Sequence, residues 1–354
     1  MNPLEAQLTY PFGDTAPTPG TVHAVAPGIH WLRMPLPFAL DHINLWLLED
    51  EQETESGIRP GWTIVDCGVD NADTRAAWEH IVAQLDGMPV LRVIVTHCHP
   101  DHVGLAHWLC ARWHAPLWMT AGEYGYARVM SAGLPGADGT ANFPFFRKHG
   151  LVDPAMTEQL EGRRSYYPTM VPAMPLAYTR MQDGDALRIG GRDWRVITGF
   201  GHSPEHAALH CAASNLLIAG DMVLPRISTN VSVFAIEPEA DPVRQYLDAL
   251  TKYETLPQDA LVLPSHGKPF RGLHTRIGQL RDHHAARLQE VLAACATPQS
   301  AADIVPIMFR RALDAHQLTF AMGEALAHLH RLWFDGRLQR MDGADGVVRF
   351  HVGR

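Results

Sequence analysis

The chain has 354 residues, of which 46% are hydrophobic and 19% charged, a composition typical of a globular protein with a large core. Its formal net charge of −9 gives it no general attraction for nucleic acid or anionic membranes. The five cysteines form no C-x-x-C pair, which indicates a reduced protein without a disulfide framework. No signal peptide opens the sequence, and no apolar run approaches the about 20 residues of a membrane-spanning helix. We therefore expect a cytoplasmic protein with no membrane partner.

Short strands alternate with helices along the first third of the chain. Residues 1–20, rich in Pro, Thr and Gly, are interpreted as a loosely held arm. The hydrophobic pattern then predicts strands at 29–33, 43–48 and 62–65, a helix at 73–85, a strand at 91–96, a helix at 103–114 and a strand at 116–120. This alternation predicts an α/β fold.

Residues 123–182 interrupt the alternation with many Gly, Pro, Met and aromatic residues. A segment this long without clear periodicity is usually a functional insertion or a lid. A second α/β half follows, with predicted strands at 187–198, 207–219 and 260–264 and a helix at 242–256.

The C-terminal part has a different pattern. It predicts an amphipathic helix at 272–294, two helices at 301–311 and 320–334, and a hairpin at 336–352. We therefore expect a catalytic domain over 21–270 and a small winged-helix-like module over 271–354.

The strongest chemical signal is the sequence THCHPDH at 96–102, where a buried strand ends. Alternation along extended backbone points His97 and His99 the same way, toward one metal ion. Asp101 and His102 lie past the turn and can face a second ion. Cys98 should point the opposite way and form an inert buried thiol. Four potential ligands in six residues strongly indicate metal binding, because each would otherwise need its own polar partner.

This H-x-H-x-D-H pattern resembles the hallmark of the metallo-β-lactamase superfamily, and the family's other motifs follow in order over about residues 25–270. Asp66 lies in IVDCG, and Asp221 lies in AGD. His202 lies in GHSPEH, which is similar to a stretch of glyoxalase II-like enzymes, and His266 lies in PSHG.

The resemblance implies an αββα sandwich with two metal ions in one site. The implied ligands are His97, His99 and His202 for the first ion, Asp101, His102 and His266 for the second, and Asp221 between them. Asp66 would orient a ligand rather than bind metal. For His206, which lies close in the sequence to His202, we expect either a structural role or a similar supporting role. Imidazoles with carboxylates suit zinc, although manganese or iron could occupy the same site. Water activated by the two ions would attack the substrate, with Asp101 as the catalytic residue that orients this water and receives its proton.

Asp221 also bears on the substrate. In this family, enzymes that open β-lactams mostly carry cysteine or serine there, which argues against a β-lactamase, and glyoxalase II's basic glutathione-binding residues are not found near the C-terminus. We predict a thioester or ester hydrolase, lactones included, for a small, partly apolar acyl substrate, with an acyl-CoA-like compound as one candidate. The alternative is a metal-dependent endoribonuclease or phosphodiesterase. A non-catalytic metal-binding scaffold does not suit so complete a ligand set.

The C-terminal module bears on the nuclease alternative. From residue 270 onward the chain has eleven arginines, eight acidic residues and no lysine, without a basic cluster, which argues against nucleic acid as a partner. We expect the module to pack against the catalytic domain, or against a second copy in a homo-oligomer. For the substrate we predict contacts with Phe38, in a loop that resembles one overhanging the family's site, and with Phe145, Phe146 and Tyr167. Ordinary core packing is the alternative for these four.

Overall fold

The computed structural model describes residues 3–38, 40–55, 57–154, 157–158 and 165–353. Two β-sheets face each other, and helices cover their outer sides. This confirms the predicted αββα sandwich with a small helical module at its C-terminal end. In the described part of the chain, no helix is both long and apolar enough to cross a membrane.

The first sheet contains seven strands in chain order. They are β1 (His23–Ala26), β2 (Ile29–Pro35), β3 (His42–Thr54), β4 (Gly57–Val65), β5 (Val90–Ile94), β6 (Leu117–Thr120) and β7 (Thr179–Met181). Strands β1 to β4 pair antiparallel, whereas β4 to β7 pair parallel. The carboxyl ends of β4, β5 and β6 therefore meet at one edge, where open α/β sheets place their sites.

The second sheet has the order β12-β11-β10-β9-β8. Its strands are β8 (Ala186–Ile189), β9 (Arg192–Gly199), β10 (His206–Cys211), β11 (Leu216–Gly220) and β12 (Leu261–Pro264). The segments 187–198 and 207–219, each predicted as one strand, are in fact two antiparallel strands. Gly190 and Gly191 make the first turn and Asn215 the second, all with positive φ.

Helices cover the outer faces of both sheets and build the C-terminal module. They are α1 (Ala72–Val82), α2 (Pro100–Val103), α3 (Ala106–Trp113), α4 (Ala121–Ser131), α5 (Asn142–Lys148), α6 (Tyr167–Met170), α7 (Pro242–Tyr253), α8 (Leu273–Ala294), α9 (Ala301–Met308) and α10 (Ala315–Phe334). The segment 123–182, for which no period was detected, contains most of α4, all of α5 and α6, and strand β7. It therefore forms part of the helical layer and of the first sheet.

The C-terminal module consists of α8 to α10 and the hairpin of β13 (Gln339–Asp342) and β14 (Val348–His351). Helix α10 begins five residues before the predicted start, because Asp314 and Gln317 form a capping box. Its buried side chains, such as Leu326, share one apolar cluster with Leu217 of the second sheet and Tyr246 of α7. The module thus packs directly on the catalytic part.

The N-terminal segment interpreted as a loose arm also makes specific contacts. Leu8 is buried in the same apolar cluster as α8, and the backbones of Thr9 and Arg271 pair as a β-bridge. Asp14 lies 2.7 Å from the Lys268 ammonium group. These contacts connect the segment to the start of the C-terminal module, which the Pro- and Thr-rich composition did not indicate.

Candidate metal centre

Four side chains converge where strands of both sheets end. His97 and His99 follow β5, His202 lies between β9 and β10, and Asp221 follows β11. One ligand atom from each of the four lies within 4.8 Å of the others, so together they could hold a metal ion. We call these residues the first cluster.

A second cluster lies beside the first and contains Asp101 and His102 of α2 and His266, which follows β12. The Oδ2 atom of Asp101 lies 3.4 Å from His266 Nε2 and 3.6 Å from His102 Nε2. Short helix α2 begins at Pro100, directly after His99, so the chain turns from one cluster into the other within two residues.

The Asp221 carboxylate lies between the two clusters and gives one oxygen to each. Its Oδ2 atom is 3.4 Å from His202 Nε2 and 4.0 Å from His97 Nε2. Its Oδ1 atom is 3.5 Å from His266 Nε2 and 3.6 Å from His102 Nε2. The structure thus brings together all seven residues predicted as ligands, and Asp221 has the geometry of a bridge.

Two buried ligand atoms show whether the site suits a cation. His102 Nε2 and Asp221 Oδ1 are buried and, within the described residues, have no hydrogen-bond partner. Leaving such atoms unsatisfied costs about 1–3 kcal/mol each. A cation coordinated by both atoms would satisfy them, and this donor set of imidazoles and carboxylates suits a divalent transition metal.

The protonation states of the two clusters differ. Burial lowers the pKa of His97 well below its usual value and that of His99 to about 3. Both rings are therefore neutral at physiological pH, so neither has to lose a proton before it binds a cation. Burial also acts on His102, but the carboxylates of Asp101, Asp66 and Asp221 outweigh it and raise the pKa of this imidazole to about 9.

Asp66 lies against His102, on the side of the ring opposite Nε2. It follows β4 with φ of 64°, and its Oδ2 atom lies 2.9 Å from His102 Nδ1. The Thr96 amide and hydroxyl donate to the same carboxylate at 2.8 and 2.9 Å. These bonds hold the His102 ring so that Nε2 faces Asp101 and Asp221.

Backbone carbonyl groups orient two further imidazoles. His202 Nδ1 donates to the Asn230 carbonyl at 2.8 Å. His266 Nδ1 donates to the His42 carbonyl, also at 2.8 Å. In both rings this hydrogen bond holds Nε2 on the side that faces Asp221.

His206 lies behind Asp221 and holds its backbone. The Asp221 amide donates to His206 Nε2 at 3.1 Å, and burial lowers the pKa of this imidazole well below its usual value. His206 also packs tightly under Gly220, where an added Cβ would lie 2.3 Å from Nε2. Gly220 is therefore required for the close approach of this ring.

Glu123 is a supporting residue that our sequence interpretation missed. Its buried carboxylate accepts the Cys98 amide at 2.8 Å on Oε2. On Oε1 it accepts the Ser203 hydroxyl and the Glu205 amide, both at 2.6 Å. One carboxylate therefore joins the loop of His97 and His99 to the loop of His202. Only its position directly after β6, at the same sheet edge, could have suggested this role.

Two cavities open beside the first cluster, and we name them the aromatic cavity and the polar cavity. The aromatic cavity has a volume of about 190 Å³ and lies between α4, α5, α6 and α10. Its aromatic wall comprises Tyr126, Phe143, Phe146, Tyr166, Tyr167, Phe234 and Phe320. The polar cavity, of about 240 Å³, is bounded by the His202 loop, Asn230, Ser232 and Gln245.

The four predicted substrate residues differ in their placement. Phe146 and Tyr167 line the aromatic cavity, and the Tyr167 hydroxyl also donates to the Cys98 carbonyl at 2.5 Å. Phe145 is not part of either cavity wall, because its ring turns toward Phe146 and His149. Phe38 stacks on His316 of α10, with ring centroids 5.8 Å apart.

Comparison with known families agrees with this architecture. Residues 59–266 match the family described as the metallo-β-lactamase superfamily, and residues 288–353 match the metallo-β-lactamase-like C-terminal domain. Because the first match covers more than half of the chain, the protein belongs to the metallo-β-lactamase superfamily.

Individual relatives resemble nearly the whole chain. The crystal structure of a β-lactamase domain protein from Burkholderia ambifaria is 59% identical, covers 99% of this chain and 100% of its own, and has a TM-score of 0.93. A metallo-β-lactamase family protein from Thermus thermophilus is 27% identical over 93% of this chain and 100% of its own, with a TM-score of 0.76. The probable metallo-hydrolase YqjP of Bacillus subtilis (strain 168) is 20% identical over 84% of this chain and 90% of its own length. The superfamily and the His/Asp clusters together indicate a hydrolase that uses divalent metal ions.

Proposed function

We propose that the protein is a hydrolase with two divalent metal ions, zinc as the first candidate, that cleaves a thioester, ester or lactone of a small apolar acyl group. The observation that carries the proposal is the division of the Asp221 oxygens between the two clusters. A carboxylate between two groups of three ligands fits a pair of cations better than a single one.

Two bound cations would lower the pKa of a water molecule and polarise a carbonyl oxygen. The chain itself supplies Asp101, whose carboxylate faces His102 and His266. Burial alone would raise the pKa of Asp101, but the two imidazoles lower it to about 2, so the group is ionised at neutral pH. It can therefore accept a hydrogen bond from the attacking water and then its proton. The water oxygen bonds to the acyl carbon, the C–S or C–O bond breaks, and the leaving group takes up a proton.

The walls of the site support an acyl substrate over a nucleic acid. The aromatic cavity reaches His99 and is walled largely by rings, which suit an uncharged apolar group. Helix α10, which a winged-helix nuclease would use to contact the polyanion, instead directs Phe320 into this cavity. Several arginines of the module, such as Arg331, Arg340 and Arg349, form ion pairs with acidic neighbours.

The test is a substrate panel with purified, metal-loaded protein. It contains neutral thioesters, esters, lactones, a β-lactam and single-stranded RNA, each with and without a chelator. We expect hydrolysis of a thioester, ester or lactone that the chelator abolishes and added metal restores. The His99→Ala variant is the inactive control. Cleavage of RNA alone, together with RNA binding that weakens steeply with salt, would contradict the acyl substrate and support the nuclease.

A further inference from the structure

The two cavities meet at a shared wall beside the metal centre. Five residues line both of them: His99, Tyr126, Phe234, Ile236 and Phe320. Since His99 belongs to the first cluster, the scissile bond of a substrate bound at this junction would lie next to the candidate metal centre. The groups on either side of that bond would then extend into chemically different cavities.

Helix α10 of the C-terminal module forms one side of the aromatic cavity. His316, Thr319 and Phe320 have the i, i+3, i+4 spacing of one helix face, and all three line this cavity. Phe320 makes an edge contact with Phe234, with ring centroids 6.4 Å apart. The catalytic part thus has an incomplete pocket without α10.

Close packing fixes the position of this helix face. The Val233 amide donates to the Gly323 carbonyl at 3.0 Å, and a Cβ on Gly323 would lie only 2.8 Å from Ser232 Cβ. The contacted segment also contains Asn230, whose carbonyl orients His202. The pocket wall and the metal ligand are therefore held by the same stretch of chain.

Aromatic contacts connect the same helix to two other segments. The His316 ring stacks on Phe38 and makes edge contacts with Tyr166 and Phe320, both with centroids 5.0 Å apart. Three segments far apart in the sequence, the loop of Phe38, the segment 123–182 and α10, therefore meet around one imidazole. Two of these segments, 123–182 and α10, supply walls of the aromatic cavity.

We propose that the aromatic cavity binds the acyl part of the substrate, specifically a short aryl or alkyl acyl group, and that Phe320 determines acyl specificity. Phe320 separates this cavity from the polar cavity, which takes the leaving group. The part of this inference that concerns acyl specificity in catalysis rests on the proposed function. The part that concerns binding of an apolar group in the cavity does not. An apolar cavity of about 150 Å³ is enough to bind benzene. A cavity of about 190 Å³ therefore accommodates a phenylacetyl group but not a long fatty acyl chain.

The kinetic test uses thioesters of one neutral leaving group, N-acetylcysteamine, with acetyl, phenylacetyl and dodecanoyl groups. Wild-type protein should prefer the phenylacetyl thioester. Phe320→Ala should lower the phenylacetyl-to-acetyl ratio of kcat/KM about tenfold, since the variant loses an aromatic contact and the wall between the cavities. Thr319→Phe should lower this ratio at least as much by filling the cavity. Phe334→Ala, an aromatic truncation at the exposed end of the same helix, should leave the ratio unchanged.

A binding test separates this inference from the proposed function. Calorimetry with phenylacetamide and acetamide, on metal-loaded and metal-free protein, should show binding of the first amide that Phe320→Ala weakens and Phe334→Ala does not. If thioesters are cleaved but Phe320→Ala and Thr319→Phe keep the wild-type ratio within about twofold, the cavity assignment is overturned and the proposed function stands. If no thioester is cleaved, thioesters are ruled out as the substrate of the proposed hydrolase, and the amide binding alone decides on the cavity.

Discussion

At the scale of single residues, Glu123 supports the site from outside the two clusters of candidate ligands. Its carboxylate forms no hydrogen bond with His97, His99 or His202, yet it accepts hydrogen bonds from both loops that carry them. In Glu123→Gln, an amide NH2 would face either the Cys98 amide or the donors of Ser203 and Glu205. We expect this variant to lose about 1–3 kcal/mol of unfolding free energy, and metal affinity to fall about tenfold.

Denaturant unfolding and a competition titration with a chelating dye measure these two effects. Glu79→Gln is the matched control, because Glu79 forms only a surface ion pair with Arg112 and its loss should cost at most about 1 kcal/mol. Equal behaviour of the two variants would show that Glu123 does not position the ligand loops.

Loss of Asp221 should affect both clusters, because its carboxylate faces one cluster with each oxygen. In Asp221→Ala, each cluster loses one carboxylate oxygen, and the three residues of the second cluster are left without the bridge. Elemental analysis should show loss of about one metal equivalent, and turnover should fall at least about tenfold. Retention of two equivalents with wild-type turnover would rule out the bridging role.

The two clusters should also respond differently to pH. His97 and His99 are neutral because burial lowers their pKa values, so no proton competes with a cation on these two rings near neutral pH. In the metal-free protein the neighbouring carboxylates outweigh burial, and they raise the pKa of His102 to about 9 and that of His266 well above its usual value. Both rings must lose a proton before they can bind a cation. The affinity of the second cluster should therefore rise as the pH increases from 6.5 to 9.

Metal titrations of the metal-free protein at these two pH values check this sign. The weaker site should gain affinity by up to about a hundredfold per pH unit, about tenfold for each imidazole that loses a proton, and proton release should accompany its filling. The first site should change less. Two sites with the same pH dependence would contradict the assignment of the protons to His102 and His266.

The seven candidate ligands could be named from the sequence because they lie in short motifs at strand ends that resemble those of the superfamily. His97, His99, Asp101 and His102 lie within six consecutive positions, so local geometry places them close together, whereas His202, Asp221 and His266 were assigned through the resemblance. Glu123 could not be predicted in this way, since its partners lie 25, 80 and 82 residues away. A carboxylate in the first turn of a helix has a sufficient local explanation in the helix dipole.

At the scale of elements, the contact between α10 and the segment 230–233 requires a glycine, Gly323, in the helix. Alanine normally stabilises a helix interior relative to glycine, but a Cβ at Gly323 would lie 2.8 Å from Ser232 Cβ and 3.3 Å from the Val233 carbonyl. We expect Gly323→Ala to destabilise the protein by about 1–3 kcal/mol, the usual cost of overpacking. Because the same segment holds His202, kcat/KM should also fall.

Thermal unfolding and kinetics of the same preparation measure both effects. Gly278→Ala is the matched control, since this glycine lies inside α8 and a Cβ there meets nothing within 4 Å. It should stabilise the protein by about 0.5–1 kcal/mol. A stabilised, fully active Gly323→Ala variant would disprove the close packing.

The elements themselves were predictable to different degrees. Helix α8 repeats apolar residues at helical spacing, and its bounds match the prediction closely. The two segments that were each predicted as one strand contain turn residues that the interpretation passed over, Gly190-Gly191 and Asn215. The aromatic cavity could not be predicted from the sequence, because α10 and the segment 123–182 are far apart in the chain and meet only in the tertiary fold.

At the scale of the whole molecule, the metal centre joins the two sheets. One group of ligands follows β5 of the first sheet, and the others follow β9, β11 and β12 of the second. Metal ions at this position would therefore hold the sandwich together at one edge. Binding restricted to the folded state stabilises that state by RT ln(1 + [L]/Kd), about 4 kcal/mol at a thousandfold excess over Kd.

We therefore expect a chelator to lower the thermal midpoint of the metal-loaded protein by several degrees, since about 1 kcal/mol corresponds to roughly 2–4 °C or less for a chain of this size. Differential scanning calorimetry before and after dialysis against the chelator measures the shift, and elemental analysis verifies metal removal. The control is the double variant His99→Ala, His266→Ala, which lacks a ligand in each cluster and should unfold at the same temperature under both conditions. An unchanged midpoint in wild-type protein after verified metal loss would mean that the two sheets hold together without the ions, and that the centre contributes to chemistry alone.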